Sequence, residues 1–280
     1  MFRFGAALIV GATVLLVGGA PAQAAGCADY GAPDWRAPIR TGPVEKAWPL
    51  RKSDRGGWRM RRSMVVRRKG KLVLEVRYPR GSINPGNRWA PNGGLGFWDK
   101  LYIGDRQAGC LSYEVQFQHG FRFAKGGKLP GLWGGGAVGG CARRRDLGFS
   151  TRYMWTRWGG GFLYSYFADR DTRCGKPIFP PRSKQMRFEP GRWHKLEQLV
   201  VLNTPGKADG VLKVWFNGEL MIDRRRVRYR DRAKVRIDGV MFSTFFGGSS
   251  RGNASPRDQK TWFRSFEYRA LNRREASRAR

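Results

Sequence analysis

The chain has 280 residues, with 54 Lys and Arg against 21 Asp and Glu, a formal net charge of +33 and a sequence pI near 11.3. Its 41% hydrophobic and 13% aromatic content, with 11 Trp and 17 Phe, supplies a large core and excludes global disorder, because disordered chains are poor in aromatics. The length suits one large β-rich domain, and the charge points to an acidic partner: a polyuronate, a nucleic acid or an anionic surface.

Residues 1–24 read as a secretory signal. Arg3 gives the positive start, Ala6–Gly19 is an apolar run, and Ala22-Gln23-Ala24 forms an A-x-A cleavage site. The run is shorter than the roughly 20 apolar residues of a spanning helix. No later segment is apolar enough to span, so no transmembrane segment is expected and the protein is expected to be secreted or periplasmic. Four cysteines follow, Cys27, Cys110, Cys141 and Cys174. In an oxidising compartment an even count predicts up to two disulfides from three pairings. Cys141–Cys174 is favoured because the two flank the hairpin described below. With no C-x-x-C spacing and two histidines in all, neither a zinc site nor any other metal or cofactor is expected.

Residues 25–57 are punctuated by Pro and Gly and read as an extended arm on the surface. From residue 58 to 270, short alternating runs broken by turns predict strands. They include Lys71–Arg77, Ser112–Phe117, Phe149–Trp155, Phe162–Phe167, Lys195–Leu202, Val211–Phe216 and Gly239–Phe246. Many short strands and no sustained helical period predict an all-β domain, a two-sheet β-sandwich of jelly-roll type. Asn217-Gly218 marks one hairpin, and Gly159-Gly160-Gly161 joins two further strands. Residues 271–280 read as a frayed basic tail.

Three segments carry candidate chemistry: Gly126-Gly-Lys-Leu-Pro-Gly-Leu-Trp-Gly-Gly135, the strand Phe149–Trp155 and the strand Phe162–Phe167. Lys128 lies between glycines and Pro130, where backbone approaches a ligand closely. On alternating strands Ser150 and Arg152 share a face, as do Tyr164 and Tyr166. A hairpin centred near Trp158 or Gly159 puts Arg152 opposite Tyr164 or Tyr166, on one face. A one-residue slip puts Ser165 there instead and turns both tyrosines away. Neighbouring Lys and Arg charges are expected to lower the tyrosine pKa toward a phenolate. Lys125, Arg157 and His119 are candidate substrate-binding residues near this set. His194, after Trp193 at a strand start, reads as structural. Taken singly, each of these features also fits an ordinary strand or turn.

Together, the three segments resemble polysaccharide lyase family 14, the alginate and glucuronan lyases with a β-jelly-roll fold. Lys125–Gly135 is similar to its lysine-bearing signature, Phe149–Trp155 to its Ser-x-Arg strand and Tyr164-Ser-Tyr166 to its Tyr-x-Tyr strand. Weaker likeness runs from Val76–Ser82 through Gly191–His194 and Leu202–Gly206 to Phe245–Gly248. The resemblance implies that Lys128, Ser150, Arg152, Tyr164 and Tyr166 are the catalytic or substrate-holding positions. The high Arg content, the insert at residues 141–146 and Trp133 depart from the family's pattern and bear on the substrate.

The implied reaction is a metal-independent β-elimination on a 4-linked uronate such as alginate or glucuronan. Its tasks are to neutralise the C6 carboxylate, remove the C5 proton and protonate the departing O4. Arg152 suits the first, because its fork binds a carboxylate through two bonds. The tyrosines and Lys128 suit the proton transfers, and Ser150 orients the sugar. A two-carboxylate glycoside hydrolase is disfavoured, because Glu114, Glu197 and Glu267 stand singly. The alternative is a non-catalytic binder of acidic polysaccharide or another polyanion, favoured by the runs Arg59-Met-Arg-Arg62, Arg143–Arg145 and Arg224–Arg226. Specific nucleic-acid binding is not expected of an exported protein, since such runs bind phosphate without sequence preference.

Overall fold

Alternating apolar residues between Gly and Pro turns fold here into two antiparallel sheets packed face to face. The computed structural model describes residues 26–48, 63–104, 107–136, 139–141 and 147–280, with Met1 and Leu50. The expected signal 1–24, the 59–62 run and the 143–145 run lie outside the described residues. In chain order the strands are β1 (Trp35–Arg36), β2 (Gly42–Pro43), β3 (Met64–Arg68), β4 (Lys71–Tyr78), β5 (Leu95–Lys100), β6 (Ala108–Phe117), β7 (Gly126–Gly135) and β8 (Gly148–Thr156). They continue with β9 (Gly161–Tyr166), β10 (Lys176–Ile178), β11 (Trp193–Val201), β12 (Gly210–Phe216), β13 (Glu219–Val227), β14 (Gly239–Phe246) and β15 (Gln259–Ala270).

One sheet runs β13-β12-β11-β6-β15-β4-β3-β2, with β1 added on β15; the other runs β10-β9-β8-β7-β14-β5. This is the jelly-roll sandwich that the alternation predicts. The period of two is plain on β8, where Phe149, Tyr153 and Trp155 enter the core while Arg152 and Met154 face a cleft. Large rings fill the space between the sheets, and the polar ends of Tyr153 and Trp155 are satisfied there. Tyr153 donates from its hydroxyl to the Glu197 carbonyl at 2.7 Å, and Trp155 Nε1 donates to the Phe123 carbonyl at 3.1 Å. Asn217 and Gly218 take φ of 53° and 85°, the turn that the expected β12–β13 hairpin requires.

Strand β7 is one element that alternation alone does not reveal. Its glycines and Pro130 look like a loop, yet it lies between β8 and β14 in the middle of the six-stranded sheet. The register against β8 shifts between Leu129, opposite Tyr153, and Gly131, opposite Arg152. Pro130 is therefore the extra residue of a β-bulge, a position that needs no ladder N–H. The bulge reverses facing along the strand: Leu129 and Leu132 both enter the core, while Lys128 and Trp133 both turn to the opposite face. Tyr113 on β6 reaches across the core and donates to the Pro130 carbonyl at 3.0 Å.

Both expected terminal segments differ from prediction. The arm is not merely draped on the surface: Trp48, at the end of a helical turn α1 (Val44–Ala47), is 1% exposed and donates Nε1–H to Asp99 Oδ2 at 2.7 Å. The sequence hides this because one anchoring Trp carries no period. The tail is not frayed either. It forms helix α2 (Arg273–Ala279), with Asn272 and Glu275 in a reciprocal capping box and Ala279 buried. The capping residues offset the charge that made the segment look unstructured. Two disulfides form, the favoured Cys141–Cys174 and also Cys27–Cys110. Among the described residues no helix is long and apolar enough to cross a membrane.

Candidate active site

The outward face of the six-stranded sheet floors a cleft of about 1110 Å³. Strand pairing sets which side chains meet there. Arg152 lies directly opposite Tyr164, and Ser150 opposite Tyr166, so the unslipped register of the hairpin is the one adopted. Across the other edge of β8, Met154 lies opposite Lys128. The bulge at Pro130 is what keeps Lys128 on this face together with Trp133. All five residues of the expected catalytic set are thus brought together on three adjacent strands.

The contacts are close. Lys128 Nζ stands 3.7 Å from the centre of the Tyr164 ring and 2.7 Å from Met154 Sδ. The rings of Tyr164 and Tyr166 meet edge to face, with centroids 5.7 Å apart and planes at 82°. Arg152 is 4% exposed, donates Nη1–H to Ser243 Oγ at 3.3 Å, and has its guanidinium 5.7 Å from the Tyr166 ring centre. Its buried Nε–H has no protein partner. An unpaired donor at the floor of a cleft is costly unless a ligand accepts from it.

Burial, more than charge, sets the protonation of this site. It pushes the Lys128 amine well below the usual lysine range, and the Arg152 charge pushes the same way. The contact with the Tyr164 ring acts the other way, favouring the ammonium. The Tyr164 phenol is raised, first by burial and then by Tyr166, with Gly175 and Arg152 pulling it back only in part. The expected phenolate is therefore corrected. The sequence displayed the cations around the tyrosine but not its desolvation, and desolvation dominates.

Several residues that complete the site come from distant segments. Ser243, Met241 and Phe245 arrive on β14, and Trp98 on β5, which pairs with it. Phe162 and Phe179 stack at 4.8 Å along the cleft beside β10. Buried Arg170 lies 5.2 Å from the Tyr166 ring centre. Gly175 lies against both tyrosines: a Cβ there would stand 2.6 Å from Tyr164 Cε1 and 2.7 Å from Tyr166 Cε2. The residue before Gly175, Cys174, is bonded to Cys141, which also lines the cleft. In the sequence, strand periods placed Phe162 on β9 and Met241, Ser243 and Phe245 on β14, but the period of β14 did not say which face met the site.

The three expected substrate-binding residues separate. Lys125 lines the cleft, whereas Arg157 lines an adjoining hollow. His119 does neither. It packs against Gly191, beyond the end of β6 in the other sheet, so its nearness to Lys128 in sequence does not become nearness in space. His194 is structural as expected, 2% exposed and stacked on Phe216 at 5.1 Å, and burial lowers its pKa. Among the described residues no group of three or more His, Cys, Asp or Glu is placed to hold a metal ion.

Comparison with known proteins extends these observations. The sequence pattern described as Polysaccharide lyase 14 matches residues 66–266. No curated protein matches the chain by sequence. Among solved structures, the chain is similar to a marine PL-14 alginate lyase from Aplysia kurodai, at 27% identity and a TM-score of 0.73, over 86% of this chain and 100% of that one. It is similar to an alginate lyase from Chlorella virus at 26% identity and a TM-score of 0.70, over 83% and 99% of the two chains. An endo-β-1,4-glucuronan lyase from Trichoderma reesei shares the fold, at 12% identity and a TM-score of 0.55, over 86% and 96%.

Proposed function

The chain belongs to polysaccharide lyase family 14 and is a polysaccharide lyase, and we propose that it cleaves a 4-linked polyuronate, alginate before glucuronan, by β-elimination. The observation that carries this reading is the convergence of Lys128, Arg152, Tyr164 and Tyr166 on one cleft face. The order of substrates rests on identity: the two alginate lyases share about a quarter of their residues with this chain, the glucuronan lyase far fewer.

Arg152 offers the uronate C6 carboxylate a charged fork whose Nε–H is otherwise unpaired. Neutralising that carboxylate acidifies the C5–H bond and stabilises the enolate-like charge that develops, usually the largest single contribution to such catalysis. Lys128, held toward its neutral amine, takes the C5 proton. The electron pair of that bond forms the C4–C5 double bond as the C4–O4 bond breaks. Tyr164, whose phenol holds its proton, gives it to O4. Tyr166, with the buried Ser150 opposite it on β8, orients the sugar beside Arg152, and the fixed Arg152 charge supplies the stabilisation without a metal ion.

The jelly roll from 58 to 270 would be the single catalytic domain. Export of the mature chain fits its two disulfides, which persist in oxidising compartments. The test is to mix purified protein with alginate, glucuronan and other polyuronates and follow the ultraviolet absorbance of the unsaturated product. Product from alginate supports the reading. Retained binding with no product from any polyuronate replaces it with the non-catalytic binder.

A further inference from the structure

The basic surface continues past the catalytic cleft. A second hollow of about 540 Å³ opens between residues 121–125, the tip of the β8–β9 hairpin and residues 187–190. Lys125 lines both hollows and is the joint between them, passing beside Gly252. Four exposed cations converge on the second one: Arg122, Lys125, Arg157 and Arg187. Among the described residues none of the four makes a side-chain hydrogen bond or ion pair. The single carboxylate present, Glu189, is ion-paired with Arg192 at 2.8 Å.

Trp158 gives this hollow its second character. It stands at the hairpin tip, 73% exposed, with the Arg157 guanidinium 5.9 Å from its ring centre. The turn needs glycine at its next position, φ 77°, but nothing in its geometry needs an indole. An exposed aromatic plate among unpaired cations matches one class of ligand, a sugar ring that carries a carboxylate. The ring's C–H face lies on the indole, and the carboxylate meets the guanidinium forks.

We propose that this hollow is a distal subsite for a uronate of the same polysaccharide chain that occupies the cleft, with Trp158 stacking on the ring and Arg157 and Arg187 binding its carboxylate. The proposal rests on the polyuronate lyase reading. It makes the protein favour chains long enough to reach beyond Lys125, so that cleavage falls within the polymer.

The experiment measures KM for alginate oligosaccharides of graded length and for the polymer, with wild type, Trp158→Ala and Arg187→Ala. In the wild type KM falls as the chain lengthens past the cleft. Each variant loses roughly fivefold or more of that advantage of long over short chains, the scale of one stacking contact or charged hydrogen bond. Product from the wild type with the same length dependence in both variants overturns the subsite alone. So does a kcat loss as large on the shortest cleaved chain as on the polymer, which would mark damage to the hairpin. No product from any chain in the wild type overturns the lyase reading, and the subsite falls with it.

Discussion

The Lys128 side-chain nitrogen lies 3.7 Å from the centre of the Tyr164 ring, and the two groups are displaced from their ordinary pKa values in opposite directions. Burial disfavours the charged form of each, lowering the amine and raising the phenol. A base that is free of its proton and an acid that keeps its own are thereby available at the same pH.

The pH profile of kcat/KM follows from that pairing. Activity rises with pH as Lys128 loses its proton, below the usual lysine range, and falls as Tyr164 loses its own, above the usual tyrosine range. Tyr164→Phe removes the alkaline limb, and Lys128→Arg, which keeps the charge but cannot act as a base, removes the acid limb. Each costs about 10²–10⁴-fold in kcat. Full activity in Lys128→Arg would show that a positive charge, not a base, is what that position supplies.

Arg152→Lys tests the fork rather than the charge. Lysine keeps one positive charge but loses the planar pair of donors, so kcat/KM is expected to fall about 10²-fold or more. Ser243→Ala removes the hydroxyl that holds Arg152 Nη1 at 3.3 Å. Its loss is expected near tenfold, about the worth of one hydrogen bond to a charged group. If Ser243→Ala cost as much as Arg152→Lys, the serine would be touching substrate itself.

Gly175→Ala places a methyl group against both tyrosine rings. Rigid aromatic side chains on a paired strand cannot yield without tilting the hydroxyls. The variant is expected to lose at least about tenfold in kcat while its unfolding midpoint drops only slightly, by the 1–3 kcal/mol typical of overpacking. Steady-state kinetics beside a thermal melt separates the two effects; unchanged kcat would mean that the tyrosine positions carry slack.

The two disulfides divide stability from activity. Cys27–Cys110 closes 83 residues and ties the N-terminal segment to β6, whereas Cys141–Cys174 closes 33 and ties the stretch before Gly175 to a residue that lines the cleft. By loop entropy both stabilise, at about 4–5 and 3–4 kcal/mol respectively. Replacing Cys27 and Cys110 with serine is expected to lower the melting temperature with kcat preserved in the folded protein. Replacing Cys141 and Cys174 is expected to lower kcat below the melting transition. Equal kcat in the second variant and wild type would show that Gly175 and the tyrosines hold their places without the bridge.

The sequence made much of this site legible because its central pair is local. Arg152 and Tyr164 belong to one hairpin, so alternation and a Gly-rich turn suffice to oppose them. Ser243 is 91 residues from Arg152, and nothing local reports that contact. β15 escaped detection for a related reason. Its register shifts between Arg264 and Glu267, with Ser265 at φ 55°, so its alternation is broken in the middle. Tyr164 shows the other limit. Its charged neighbours can be counted in a sequence, but its burial exists only once the sheets have packed.

The bulge at Pro130 gives strand β7 two frames of address, one on each side of a single residue. Side chains up to 128 are aimed at substrate by even number, and those from 131 onward by odd number. Straightening the strand at its present length, with Pro130 drawn into the ladder, would leave composition, charge and the whole of the sequence untouched. It would nevertheless exchange Trp133 for Leu132 at the cleft and force an indole into the core, or else turn Lys128 inward. At this length the bulge between Lys128 and Trp133 is therefore as strict a requirement as the identity of either residue. Grafting this strand into another sandwich would succeed or fail on keeping that bulge and on a tyrosine, like Tyr113, placed to hold the Pro130 carbonyl.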